Sequence, residues 1–498
     1  MLAPQAEIGE AELETGFRRL VVEALFSNTT AALTTGVVLT AFALHLGANN
    51  TTIGLLAAIP FLTQLAQVPA IALVERIRER KRIAVLSSIF GRTMLGLMAI
   101  APFAGSYGLT IMVTATFVLC AMGAVGSCAW NSWIRDLAPD DRMGRIFARR
   151  TFYATLTTLI AGIAAATALE VTNEGSPARD LSFAMLYVVG CAAGLISAWI
   201  VARLPEPALA PRPAKALRLF EQLKRPFSDR NFWRLILFLG TWQFAINFAT
   251  PFFTVYLVRQ LGYDMSVVMG LSIASQLANA FALRSWGTLA DRFANKSVLL
   301  VAAPIYILCI AAMAGTSQIT QEGFRLAWLV LLHLLMGGAV AGVTLATANI
   351  ALKLSPRGEA ASYLAAGAVV TAVAAGSAPI LGGALADFFA VRQLELVGRW
   401  TSPDGVFTYL SLRLSNWDFY FLLSALLGLY ALHRLGHVKE TGEASREEVL
   451  RHLVAETRGS IHNFSTVTGL KALTDFPAGL IREIRVRQRF YRRRAARA

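Results

Sequence analysis

The chain has 498 residues, 55% of them apolar and 15% charged, with a formal net charge of +15. A soluble domain carries about a quarter charged residues, so this composition excludes an ordinary soluble globular protein. The basic surplus does not mark a nucleic-acid binder either: it gathers in loops between apolar stretches and in the tail, the positive-inside pattern of membrane proteins.

Residues 1–19 are acidic and polar (Glu7, Glu10, Glu12, Glu14) and lack the basic start and small-residue cleavage site of a secretory signal peptide. From Asn28 to about His433, apolar stretches of roughly 18–25 residues recur, the length that crosses a hydrocarbon core of about 30 Å as a helix. They predict spans at 24–46, 52–73, 83–103, 108–133, 147–170 and 181–203, then at 233–257, 265–288, 297–315, 325–352, 359–388 and 416–433. These stretches show no period-two alternation, so helices and not barrel strands are expected.

The loops orient them. Arg76, Arg78, Arg80, Lys81 and Arg82 lie between the second and third spans, and Arg135, Arg142, Arg145, Arg149 and Arg150 between the fourth and fifth. Gly47–Thr51 and Gly105–Gly108 hold no Lys or Arg. Both termini and the middle linker are therefore expected in the cytoplasm, with the chain in the plasma (inner) membrane. The last outward loop, about 389–415, carries Arg392, Arg399 and Arg413 and weakens the rule locally.

The sequence divides into an N-terminal bundle (1–203), a linker (204–231), a C-terminal bundle (232–435) and a basic tail (436–498). The linker opens on Leu-Pro-Glu-Pro and then mixes Leu and Phe with basic residues, as an amphipathic surface helix would. Eight arginines between Arg482 and Arg497 favour attachment of the tail to an anionic leaflet. Cys120, Cys128, Cys191 and Cys309 all fall in apolar spans and suit packing. Their spacings carry no metal or disulfide signature, and no cofactor is expected. No nucleophile–base pair, metal cluster or phosphate loop points to an enzyme.

Two short matches relate the halves. Ile71-x-Leu73-Val74-Glu75-Arg76 ends the second span, and Gly287-x-Leu289-Ala290-Asp291-Arg292 ends the eighth. Asn131 to Pro139 ends the fourth, and Asn349 to Pro356 the tenth. Both offsets are about 216 residues, which argues for an internal duplication of the kind common in transporters.

These motifs are similar to those of the major facilitator superfamily of secondary transporters, over roughly residues 20–435. The copy from Gly287 to Lys296 keeps the pattern's Gly, Leu, Asp and Arg but has Ala294 for its second Gly. The first copy has Ile71 for Gly and Glu75 for Asp. Asp136–Arg145 resembles the family's loop after helix 4, and Leu381–Asp387 the end of its helix 11. The resemblance implies an all-α integral membrane fold: twelve transmembrane helices in two pseudo-symmetric six-helix bundles. It implies transport of a small-molecule substrate by alternating access. It also implies a gate formed by Glu75, Arg76, Gly287, Asp291 and Arg292, with Arg284 deeper on the same helix as either an anion receptor or a gate ion pair.

In that fold helices 1, 4, 7 and 10 line the central cavity. The candidate contacts are Asn28, Thr34 and Thr35 in helix 1; Ser127, Trp130 and Asn131 in helix 4; Trp242, Gln243, Asn247 and Thr250 in helix 7; and His333, Thr344 and Thr347 in helix 10. Gln64 and Gln67 from helix 2, with Gln276 and Asn279 from helix 8, extend the set. Amides and indoles suit neutral polar or amphipathic solutes; interhelical hydrogen bonding is the competing role. Ionisable groups in a membrane are costly and often functional, which makes Glu23, His333 and Asp387 the candidate coupling residues. For Glu23, interfacial pairing beside Arg18 and Arg19 competes with coupling. The alternative to a transporter is a membrane sensor or assembly protein that reuses the fold.

Overall fold

The computed structural model describes residues 4–5, 8–137, 140–173, 175–208, 225–356, 360–403, 405–415 and 417–440. Within these, nothing is described of the side chains of 135, 140–145, 147–148, 284, 291, 360–361, 410–413 and 415. The core of the linker and the basic tail lie outside the described residues, as do Ala138 and Pro139.

The described residues contain 12 helices long and apolar enough to cross a membrane. Spans 1–6 are Glu10–His45, Asn50–Ile77, Arg80–Phe103, Gly105–Ile134, Arg149–Glu170 and Pro177–Val201. Spans 7–12 are Arg230–Gln260, Met265–Leu283, Asn295–Met313, Glu322–Leu354, Ser362–Phe389 and Trp417–Gly436. The eighth helix continues to Arg292. Each helix satisfies its own backbone polar groups, which is what hydrocarbon demands.

Three spans deviate from regular helix. Span 1 is interrupted at Thr35–Gly36, where Gly36 takes φ 60°. Span 2 tightens into a 3-10 turn at Thr63–Ala66, just after Pro60. Span 7 runs helically through Pro251 and widens into a π turn at Tyr256–Gln260. The helix therefore does not break at Pro251.

Because lipid gives helices no hydrophobic reason to associate, close packing and buried hydrogen bonds hold them together. In the first half Thr30 Oγ1 donates to the Gly190 carbonyl (2.9 Å). In the second half an aromatic cluster ties span 12 to span 7: Phe248 stacks on Tyr420 with ring centres 4.8 Å apart, and the Tyr420 hydroxyl donates to the Phe248 carbonyl. Span 10 lies directly on span 8. A Cβ on Gly337 would stand 2.0 Å from the Ser275 carbonyl oxygen, while Trp286 Nε1 donates to the Gly338 carbonyl (2.8 Å).

The two halves repeat one further device. On the side of the bundle where the termini lie, the chain leaving span 6 returns to the start of span 3. There Arg80 N donates to Glu206 Oε1 (2.7 Å), Lys81 Nζ donates to the Leu204 carbonyl (3.0 Å) and Trp133 Nε1 to the Pro205 carbonyl (2.9 Å). The chain leaving span 12 makes the matching contacts at the start of span 9. Lys296 N donates to Glu440 Oε2 (2.7 Å), and Lys296 Nζ to the Val438 carbonyl (2.7 Å). The duplication read from the helix-end motifs thus extends to a carboxylate clasp that closes each bundle.

On the opposite, distal side the loop between spans 11 and 12 is not irregular. It forms an antiparallel hairpin of β1, Gln393–Ser402, and β2, Gly405–Ser415.

Candidate functional site

The helix pairs that pack closely across the halves are span 2 with spans 7 and 11, span 5 with span 8, and the distal piece of span 1 with spans 7 and 8. Glycines bring the first pair together. A Cβ on Gly54 would stand 2.1 Å from the Pro379 carbonyl oxygen, and one on Gly383 would stand 2.4 Å from that of Asn50. Asp387 completes the seam, accepting from the backbone N–H groups of Asn50 (3.3 Å) and Thr51 (3.0 Å) and from Thr51 Oγ1 (2.7 Å). Its carboxylate therefore sits on the positive N-terminal end of span 2. Nearby, Arg259 on span 7 donates to the Ala48 carbonyl (2.7 Å). These contacts all lie at the distal ends of the helices.

Proximal to this seam lies a cavity of about 910 Å³ between the halves. Spans 1–5 line it from one half and spans 7–10 from the other. Among the described residues the wall is mostly apolar and carries no Asp, Glu, Lys or Arg. Its polar groups include Asn28, Thr34 and Thr35 from the first half and Asn247, Gln276 and His333 from the second. The interruption of span 1 falls here, with Gly36 in the wall, and Pro60 and Phe61 line the cavity just before the 3-10 turn of span 2. Many polar side chains are turned back on their own helix. Asn28 Nδ2 donates to the Ala24 carbonyl (2.8 Å), Thr34 Oγ1 to that of Thr30 (2.7 Å) and Asn247 Nδ2 to that of Gln243 (2.8 Å). His333 Nδ1 lies 2.8 Å from the Leu329 carbonyl.

Seven of the sequence candidates thus meet in the cavity: Asn28, Thr34, Thr35, Asn247, Thr250, Gln276 and His333. The other ten do not line it, Ser127, Trp130, Asn131, Asn279 and Thr347 among them. Gln64 and Gln67 hydrogen-bond each other, and Gln67 reaches Ser127 Oγ (3.3 Å). Trp242 is buried between Phe238 and Tyr306. Gln243 Oε1 accepts from Asn247 Nδ2 (3.2 Å), and Thr344 is exposed near the terminus-side end of span 10. Cavity residues that the sequence did not single out include Thr116, Thr155, Thr158, Ser272 and Tyr306. A Thr-x-x-Thr spacing on span 5 was the available signal for two of them, but span 5 was not counted among the cavity helices.

Glu23 does not sit at an interface beside Arg18 and Arg19. It is buried, with Oε2 3.1 Å from Arg150 on span 5 and Oε1 accepting from Ser197 Oγ (3.0 Å). Arg19 donates instead to the Arg203 carbonyl (2.6 Å). Span 1 reaches span 5 within the same bundle, so tertiary packing supplied a partner that the local sequence does not show. Glu23, Arg92 and Arg150 line a separate cavity of about 240 Å³ in the first half.

Of the gate residues, Glu75 and Arg76 are exposed, and the Arg292 guanidinium carbon lies 5.7 Å from the Phe293 ring centre. The side chains of Arg284 and Asp291 lie outside the described residues. Among the described residues nothing stands within 4 Å of where a Cβ on Gly287 would be. The close glycine contacts between spans 8 and 10 are made by Gly337 and Gly342 instead. Among the described residues no group of three or more His, Cys, Asp or Glu could hold a metal ion.

A model of the Major Facilitator Superfamily matches residues 24–379. The multi-drug resistance efflux pump PmrA of Streptococcus pneumoniae is 30% identical over 159 residues, 31% of this chain. That match spans only 37% of the pump's length. Among solved structures, a mutant of the nucleoside transporter NupG is similar with a TM-score of 0.65 at 13% identity, covering 85% of this chain and 100% of that one. A D-xylose–proton symporter is similar with a TM-score of 0.62 at 13% identity, covering 86% of this chain and 99% of that one. At such identities these structures speak to the fold alone.

Proposed function

This multi-pass membrane protein belongs to the Major Facilitator Superfamily, and from that membership we propose that it moves a small, uncharged, amphipathic solute by alternating access between its two halves. The observation that carries the reading is the cavity at the seam, with polar groups from both halves, apolar walls and no formal charge. A charged substrate entering such a site would lose its hydration without gaining a counter-ion. A neutral one keeps its apolar body against the wall and exchanges hydrogen bonds with hydroxyls, amides and the His333 imidazole. The partial likeness to a multidrug pump agrees with a largely apolar site.

The distal seam is closed and the close packing across the halves lies there. In this reading the conformation opens toward the terminus side. Arg76, Arg78, Arg80, Lys81 and Arg82 lie on that side, which assigns it to the cytoplasm of a plasma (inner) membrane by the positive-inside rule. The structure is then read as an inward-facing state, with the gate assigned to the motif Gly287–Arg292. Proton coupling falls to Glu23, whose protonation would free Arg150, or to His333 in the cavity. Asp387 serves the distal closure.

The test is flux into proteoliposomes with a panel of neutral amphipathic solutes. The panel is first narrowed by which of them raise the melting temperature of the purified protein. Thr158→Trp fills the cavity from span 5 and is expected to abolish flux while the protein keeps its wild-type thermal stability. Wild-type flux in a stably folded Thr158→Trp protein, or no flux of any panel member in the wild type, overturns the reading.

A further inference from the structure

The hairpin between spans 11 and 12 has two chemically different faces. Its register sets Leu394 opposite Leu414, Leu396 opposite Leu412, Gly398 opposite Leu410 and Trp400 opposite Phe407. Opposed residues share a face, and alternate residues along a strand share it too. One face therefore collects leucines, a tryptophan and a phenylalanine. The other carries Gln393, Glu395 and Val397, and pairs Arg399 with Thr408 and Thr401 with Val406. It is mainly polar, broken by two valines.

A bulge between Gly398 and Arg399 leaves Tyr409 unpaired. Its ring lies over Gly398, where a Cβ would meet it at 2.6 Å. This glycine is what admits the tyrosine to the apolar face.

Among the described residues nothing covers that face. Leu394 and Leu396 are exposed, and Trp400, Phe407 and Tyr409 expose 68%, 67% and 65% of their surface. A lone two-stranded hairpin is marginal in water, and a contiguous apolar face of this kind calls for an occupant. Three observations identify it. The hairpin is tethered closely at both feet: three residues separate it from Phe389 of span 11, and one separates it from Trp417 of span 12. Its base therefore cannot leave the membrane surface by more than roughly 10 Å.

The lipid-facing surface of the bundle also runs into the hairpin without interruption. Phe388, Leu422 and Leu426 are exposed on spans 11 and 12, and Phe389 stacks on Phe419 with ring centres 5.3 Å apart. Finally, the side chains are those of a membrane boundary. Arg392 lays its guanidinium carbon 3.5 Å from the Phe388 ring centre, and the tip carries Trp400, Phe407 and Tyr409. Aromatic residues and snorkelling arginines concentrate at the headgroup level.

We propose that this hairpin lies on the distal leaflet as a lipid-docking arm. Leu394, Leu396, Trp400, Phe407 and Tyr409 sink into the interface, and Glu395, Arg399, Thr401 and Thr408 stay in water. The arm continues the lipid-facing band of spans 11 and 12 sideways along the membrane surface. It holds the distal end of span 11, the helix that carries Asp387 and Gly383, at a set depth. This assignment requires the twelve spans to cross a membrane, but it does not require the protein to transport anything.

Spin labels on the full chain in lipid nanodiscs test it. The labels sit at single cysteines placed by Leu396→Cys and Phe407→Cys on the apolar face and Glu395→Cys and Thr408→Cys on the polar face. The native cysteines are replaced beforehand. Apolar-face labels are expected to collide several-fold more with oxygen than with a water-soluble nickel chelate, and polar-face labels to show the reverse. Equal nickel access on both faces means the hairpin stands free in water and overturns the proposal. Shielding of the apolar-face labels from both reagents means that protein covers it, a second copy or another partner, and also overturns it. Quenching of native Trp400 by brominated lipid gives a label-free check, read as the difference between wild type and Trp400→Phe. It should be present in the wild type, and its absence counts against the arm even if a labelled variant misfolds.

Discussion

Glu206, Glu440 and Asp387 each offer a carboxylate to the first backbone N–H groups of a spanning helix: span 3, span 9 and span 2, respectively. The local chemistry is the same, an anion on the positive end of a helix dipole. The surroundings differ. The side chains of Glu206 and Glu440 are fully buried, and both bind within their own half. Asp387 is partly exposed and reaches from one half to the other. A carboxylate locked among buried cations is expensive to pull away, because each charge left behind loses its partner. One at a wet seam exchanges its contact for water at modest cost. The first kind assembles a bundle; the second can open and close in a transport cycle.

The largest effect should come from the buried clasps. Glu206→Ala takes the buried carboxylate from Arg80 and Lys81, leaving Arg80 the half-exposed Asp136, and is expected to cost about 3 kcal/mol, read as a drop in thermal stability of the purified protein. Glu440→Ala should cost less, because Lys353, whose side chain is 44% exposed, keeps its hydration when the partner is lost. Neither change should move the balance of inward- and outward-facing states. Equal losses in the two variants would erase the asymmetry argued here.

The seam should respond in the opposite manner. Gly383→Ala places a methyl 2.4 Å from the Asn50 carbonyl oxygen. Overpacking of this kind costs about 1–3 kcal/mol, but only in the closed-seam state. Roughly tenfold or more of the population should therefore shift to the distally open state, with melting temperature little changed. Asp387→Ala should act in the same direction by about 1 kcal/mol, the ordinary value of a helix cap. Spin–spin distances across the distal ends of spans 2 and 11 read both. Unshifted distances in Gly383→Ala would show that the glycine contact does not hold the seam.

The smallest effect compares the two copies of the helix-end motif. Arg78 occupies the position of the pattern's second glycine and takes φ 60°, the one non-glycine residue with positive φ among those described. Its counterpart Ala294 takes an ordinary extended conformation, φ −64° and ψ 145°. Arg78→Gly relieves left-handed strain of about 1 kcal/mol and should raise the melting temperature slightly, whereas Ala294→Gly should not. A lower melting temperature in Arg78→Gly would mean that the arginine's contacts outweigh the strain.

Much of the architecture was legible from the chain. Spans, their pairing into halves and the side on which the basic loops lie follow from hydropathy, length and charge, which act locally. The cavity was legible only in part. Asn28, Thr34, Thr35, Asn247, Thr250, Gln276 and His333 were recognised because polar residues are rare in apolar spans. Trp242 and Gln243 looked equally suitable, yet neither lines the cavity. A one-residue step rotates a side chain by about 100° around a helix, so neighbouring polar residues can face different surroundings. The pairing of Glu23 with Arg150 joins residues 127 positions apart, a distance over which composition carries no information. The hairpin did leave a trace, in the alternation Leu394-Glu395-Leu396 and the Pro403 and Gly405 turn. That trace was hidden in a segment read only for its charges.

By itself the sequence determined that this chain enters a membrane, how many times it crosses and that its halves share an origin, because a helix in hydrocarbon must satisfy its own backbone and repel its own charges. The tertiary structure alone decided which polar groups share a cavity, which carboxylate closes a bundle and which one bridges two. Those outcomes depend on the rotation and separation of neighbouring helices, set by a few glycines and hydrogen bonds between segments far apart in the chain.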